Sequence, residues 1–165
     1  MKKLALALML AAAPAFAAPA LKAPIDSLAK LPIVEMQPYD ENANADAAFN
    51  AAMARARAGH KRLLVDLGGN WCGDCIVLTN FMHLPGIKTF VDAHYEVVPI
   101  DVGRFNRNLQ IPARFGFKER LKGVPMVLVV TPEGKLVNGA DVFATADARS
   151  MTPQALADYL VKYSK

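Results

Sequence analysis

Residues 62–75 read Arg62-Leu63-Leu64-Val65-Asp66-Leu67-Gly68-Gly69-Asn70-Trp71-Cys72-Gly73-Asp74-Cys75, and this stretch decides the fold. Arg62 to Leu67 is a short apolar run of strand length. Gly68-Gly69 ends it and lets the backbone approach the neighbouring site closely. A helix begins within Trp71 to Cys75 and continues through Ile76, Leu78, Thr79 and Met82 until Pro85-Gly86 breaks it. At the junction of strand and helix, unpaired backbone N–H groups and the helix dipole favour an anion. Cys72 can therefore be a thiolate at modest pH, which makes it the attacking sulfur. Two intervening residues, one of them the flexible Gly73, let Cys75 sit a helical turn away and close a short disulfide ring. Cys75 is then the resolving sulfur, attacking a mixed disulfide on Cys72 and releasing the partner.

The cysteine count points the same way. These are the only two cysteines of the chain, and three positions apart they cannot brace distant parts of a fold. A pair that does not brace the architecture is there to react. Zinc competes for any Cys-x-x-Cys, but a structural zinc site takes four ligands. His60, His83 and His94 are scattered and no second pair at ligand spacing exists, so no metal and no cofactor is expected. The three histidines are read as structural or solvated. A module that holds a client or a metal through this loop without turnover is the alternative from another class.

Upstream, Asn42 or Asn44 can cap a helix through Ala45, Ala48, Phe49, Ala52 and Met53, with Gly59 placed to end it. Before that, Pro19 to Pro38 looks like an exposed, adaptable lead-in with a short strand near Ile33 to Met36. Downstream, a short helix from Ile87 to Ala93 leads into a strand over Tyr95 to Asp101. Val102 to Phe117 reads as loop plus one helix. Met126 to Val130 is a buried strand, Thr131 to Gly134 a turn, and Lys135 to Asn138 its expected antiparallel partner. Thr152 as N-cap with Pro153 behind it opens a terminal helix whose Leu156, Tyr159 and Leu160 form one apolar stripe.

The 165 residues are 53% hydrophobic, enough for a single domain with a real core. Met1-Lys2-Lys3, the apolar run Leu4 to Ala13 and Ala15-Phe16-Ala17 have the three regions of a secretory signal cleaved after Ala17. A periplasmic or secreted location follows, with no membrane span in the mature form. Removing the two lysines of that leader takes the formal charge from +4 to a weak +2, which supports no nucleic-acid partner.

With these residues in place, the chain resembles the thioredoxin superfamily over about residues 43 to 163. The resemblance implies an α/β thioredoxin-like fold, a central mixed β-sheet flanked by helices on both faces. It divides the chain into a signal peptide (1–17), an N-terminal extension (18–42) and a thioredoxin-like domain (43–165). Asp66, six residues before Cys72, stands where thioredoxins place a buried aspartate. By that resemblance it accepts or relays the proton of Cys75, and burial would raise its pKa towards neutrality. Gly123-Val124-Pro125 matches the family's cis-proline loop, where a backbone edge beside the cysteines receives an extended substrate. Trp71 would shield the reactive sulfur and offer an apolar face to the partner. The implied activity is thiol-disulfide exchange with protein thiols or disulfides, with a membrane or envelope redox partner.

The chain departs from the family at Asp74, where thioredoxins carry proline. A negative charge between the cysteines disfavours the Cys72 thiolate and stabilises the disulfide, which argues for a reductant, unless Asp74 is solvated, in which case it is screened and matters little. Val124 pulls the other way, because it accompanies oxidising behaviour in Dsb-type oxidases, so an oxidase or isomerase is the alternative. The stretch Asp101 to Leu109 and the extra Lys118 to Lys122 resemble a subset of exported bacterial thioredoxin-like proteins. Arg104 and Arg107 there either recognise an acidic partner or decorate a solvated loop.

Overall fold

The computed structural model describes residues 20–165. The signal reading of residues 1–17 lies outside them. Helix α1 (Ala45–Gly59) starts where Asn44 accepts a hydrogen bond from the Ala47 amide, and the left-handed residue that ends it is His60 (φ 52°) rather than the glycine before it. Strand β1 (Arg62–Gly68) follows, then α2 (Gly73–Met82), α3 (Ile87–His94) and strand β2 (Tyr95–Asp101). A four-residue helix α4 (Gln110–Ala113), strand β3 (Met126–Val130) and α5 (Pro153–Lys162) complete the order, with Thr152 capping α5 as its sequence foretells.

The sheet runs β2-β1-β3, with β1 parallel to β2 and antiparallel to β3. Being central, β1 is apolar on both faces, which is why its sequence is a continuous run rather than an alternation. Leu63, Val65 and Leu67 join α1, both cysteines and Val124 in one core, whereas Leu64 faces α2, α3 and α5 in the other. Pro99 has no amide to donate and sits in β2, an edge strand of this sheet. Asp66 is thereby flanked by Pro99 on one side and Val127 on the other.

Two local expectations are corrected. Lys135 to Asn138 does pair antiparallel with β3, but through a single bridge of Leu136 to Val130 rather than as a full strand. The reason is Asn138, whose buried side chain accepts from the Val129 amide (2.8 Å) and donates to the Val127 carbonyl (2.8 Å), taking the place of a neighbouring strand. Nor do Ile33 to Met36 form a strand. They run as an extended strap held by Asn80 of α2, which accepts from the Val34 and Glu35 amides (2.8 and 2.9 Å) and donates to the Glu35 carbonyl (2.8 Å). From residue 20 onward the extension is packed on the domain, with Leu31 and Tyr39 buried, so it is not a loose lead-in.

Candidate active site

Cys72 is the N-cap of α2 and is joined to Cys75 by a disulfide, their Cα atoms 5.2 Å apart. Its Sγ accepts from the Cys75 amide at 3.2 Å, so a group that usually caps with oxygen here caps with sulfur. Cys72 retains a sliver of exposure (5%) whereas Cys75 has none, an asymmetry that lets an outside thiol or disulfide reach Cys72 alone. Opposite, the Val124 carbonyl oxygen lies 3.5 Å from Cys72 Sγ, and the Val124-Pro125 peptide bond is cis. The structure thus brings Cys72, Cys75, Val124 and Pro125 together, although the first and third are 52 residues apart.

Trp71 is half-exposed beside the disulfide. Its indole donates to the Gly103 carbonyl (2.8 Å), its ring meets the edge of Phe105, and the Arg104 guanidinium stacks 4.5 Å from its centre. A side chain on Gly69 would strike the indole, which is why the second glycine of the pair is needed. Arg107, although its side chain is nearly half exposed, pairs with buried Asp101 at 3.1 Å.

Asp74 has a partner that the charge argument from the sequence did not contain. Its carboxylate is largely buried, accepts from the Arg149 amide (2.9 Å) and pairs with the Arg149 guanidinium (3.1 Å). The guanidinium lies over Gly73 as well, within 3.1 Å of where a side chain there would begin. The negative charge between the cysteines is therefore paired with a positive one beside the same loop.

Asp66 lies fully buried beneath the loop. Its Oδ2 accepts from the Tyr39 hydroxyl at 2.9 Å, while Oδ1 has no partner among the described residues. Burial pushes its pKa up to about 7, and the Tyr39 hydrogen bond opposes that rise. Asp66 also lines a cavity of about 300 Å³ whose rim carries Glu35, His83, Lys88 and Asp92. No group of side chains among the described residues is arranged to hold a metal ion.

Sequence reasoning missed Tyr39, Arg149, Asn70 and Asn80. Tyr39 and Arg149 meet their partners across 27 and 75 residues, and no local pattern marks either. Asn70, next to the motif, is the one with a signal: a polar residue between a glycine pair and the tryptophan, where a loop needs a side chain to bind its backbone.

A family model described as thioredoxin-like matches residues 44–132. The crystal structure of a disulphide isomerase from Xylella fastidiosa Temecula1 is similar at 35% identity and TM-score 0.72, over 78% of this chain and 98% of that one. The chain belongs to the thioredoxin-like family. At the level of the family, its Cys-x-x-Cys pair makes it a thiol-disulfide oxidoreductase. A protein of unknown function from Pseudomonas aeruginosa (19% identity, TM-score 0.42, 83% and 96% covered) is a more distant likeness. An HIV epitope-scaffold is another such likeness (20%, 0.40, 70% and 84%). No curated protein matches this chain. Among the described residues no helix is long and apolar enough to cross a membrane.

Proposed function

We propose that this protein exchanges disulfides with protein substrates: Cys72 attacks, Cys75 resolves, and Asp66 takes the proton that Cys75 must lose. The observation that carries the reading is the state of Cys72, slightly exposed, capping α2 and accepting an amide hydrogen bond on its sulfur. Such a sulfur is stabilised as a thiolate, both when it attacks and when it leaves. An extended substrate can pair with the Val124 backbone beside it, while Trp71 offers an apolar, half-exposed face to the same substrate.

For the direction, we favour isomerisation or oxidation over reduction. Arg149 offsets Asp74, and the α2 N-terminus favours the thiolate, so the dithiol is less disfavoured than the sequence alone suggests. That the 35% identical relative is a disulphide isomerase agrees with this. Reduction is the second reading, and the Asp74 carboxylate two residues from Cys72 is the feature in its favour. We place the protein in the cell envelope with a membrane redox partner, on the strength of its leader sequence.

Equilibrating the mature protein with a glutathione series measures the potential of the Cys72–Cys75 couple. A value near the roughly −180 mV of an isomerase is expected; one near thioredoxin's roughly −270 mV would make it a reductant. Cys75→Ser should accumulate partners as mixed disulfides on Cys72, whereas Cys72→Ser should abolish insulin turnover. Undiminished turnover by Cys72→Ser would end the exchange reading altogether.

A further inference from the structure

The phenol of Tyr39 is buried (1% exposed), and it reaches Asp66 from a segment with no place in the catalytic motif. Two clamps hold it there. Asn70, next to Trp71-Cys72, accepts from the Tyr39 amide (3.0 Å) and donates to the Tyr39 carbonyl (2.9 Å). Asn80, on the helix that carries Cys75, holds the strap at residues 34 and 35. Tyr39 is thus fixed to the active-site loop on one side and, through the strap, to the active-site helix on the other.

Gly68 shows what that placement achieves. A Cβ there would collide with the Tyr39 hydroxyl and also lie 2.8 Å from Cys75 Sγ. The hydroxyl and the resolving sulfur therefore share the space left open by the missing side chain, and the hydroxyl points its hydrogen bond at Asp66. We propose that Tyr39 is a positioning residue for the resolving step, its hydroxyl holding the Asp66 carboxylate as the proton acceptor for Cys75. The inference rests on the exchange chemistry proposed above and adds the N-terminal strap to the machinery.

In that step the Cys75 thiol gives its proton to Asp66 and its sulfur attacks Cys72 Sγ of the mixed disulfide. The bond from Cys72 to the partner breaks, the partner leaves as a thiolate with the electron pair, and the Cys72–Cys75 disulfide forms. A carboxylate can accept the proton only while it is ionised. Burial without a partner would drive Asp66 towards the neutral acid, and a single donated hydrogen bond opposes this. The Tyr39 hydroxyl keeps its own proton, since burial and the adjacent Asp66 raise its pKa well above the usual phenol value.

The other groups around this pair are few. Thr79 of α2 and Asp101 of β2 lie near Tyr39, and Tyr159 of α5 senses the Asp66 charge. β3 places only Val127 opposite Asp66. Glu35, His83, Lys88 and Asp92 stand at the cavity rim. None of these donates a hydrogen bond to Asp66, so Tyr39 has no substitute.

The test is Tyr39→Phe in the full chain, reduced and mixed with dithiobis(nitrobenzoate) between pH 5 and 9. Attack by Cys72 releases the first thionitrobenzoate and resolution by Cys75 the second, so the two steps are read separately. We expect the midpoint of the second phase to move up by about one pH unit, with resolution roughly tenfold slower below the midpoint and the first phase unchanged. A uniform drop at every pH, or an unmoved midpoint, would overturn the proposal and leave Tyr39 a packing residue. Titration of the Asp66 carboxyl by ¹³C NMR in the oxidised protein should show the same upward shift without any turnover. Adding Tyr39→Phe to Asp66→Asn should change the pH profile no further; an additional shift would overturn the assignment. Absence of any second thionitrobenzoate from the wild type would instead defeat the exchange reading itself.

Discussion

Asp74 and Arg149 show how one residue's meaning depends on a partner the local sequence does not contain. Alone, a carboxylate between two cysteines raises the cost of the Cys72 thiolate and favours the disulfide. Paired with Arg149, it becomes one half of a neutral unit beside the loop. Arg149→Met should therefore restore the effect read from the sequence: Cys72 becomes less acidic and the couple more reducing, by on the order of 10–30 mV, where about 30 mV corresponds to one pKa unit of the thiol. Because the Arg149 side chain is 64% exposed, added salt should shrink the difference. The measurement is the glutathione equilibrium of wild type and variant at low and high salt. An unchanged potential would mean that solvent, not Arg149, screens Asp74. Cys72 and Cys75 were legible because they stand at a fixed spacing in one strand-turn-helix stretch, and Asp66 because the resemblance to thioredoxins marks its place in that stretch. Arg149 was not, since it lies 75 residues from its partner.

At the scale of elements, the apolar runs of β1 and β3 and the Asn44 and Thr152 caps name their structures directly, because burial and capping are local demands. The segment after β3 shows where this fails. Lys135 to Asn138 has the turn and the apolar residues of a hairpin, yet Asn138 substitutes a side-chain amide for the next rung of backbone pairing. It also donates to the Tyr159 hydroxyl at 2.9 Å, tying β3 to α5. Asn138→Ala would leave the Val129 amide and the Val127 carbonyl without their partner in the core. A loss of about 2–4 kcal/mol is expected, read as a lower midpoint in urea unfolding with an unchanged slope. A loss under about 0.5 kcal/mol would mean that the hairpin can re-pair its backbone without this side chain. The strap of residues 33–36 was misread for a related reason: extended backbone looks like a strand in sequence, but its hydrogen bonds go to Asn80 instead of to a sheet.

At the scale of the whole molecule, the acid proposed to serve the exchange is also a liability for stability. Asp66 has a folded pKa of about 7 against an unfolded value near 3.8, so the native state binds its proton more tightly than the unfolded chain does. Stability is then intact below about pH 4, falls as the pH rises between the two values, and is lower by about 4 kcal/mol above pH 7. Asp66→Asn keeps an acceptor for Tyr39 and removes the ionisation. The oxidised variant should match wild type in urea unfolding at pH 4 and exceed it by up to about 4 kcal/mol at pH 8. Equal stabilities at both pH values would show that Asp66 is not strained by its burial. The sequence by itself determined the order of most elements and the candidate cysteine pair, because these depend on hydrophobic periodicity, capping and the geometry of a few consecutive residues, and its resemblance to the thioredoxin superfamily supplied the fold class and the candidate acid. Only the tertiary structure decided what surrounds them: Tyr39 on Asp66, Arg149 on Asp74, the Val124 carbonyl beside Cys72 and the strap clamped by Asn70 and Asn80. Those contacts join residues tens of positions apart, and a single buried hydrogen bond or ion pair leaves no periodic trace in the chain that makes it.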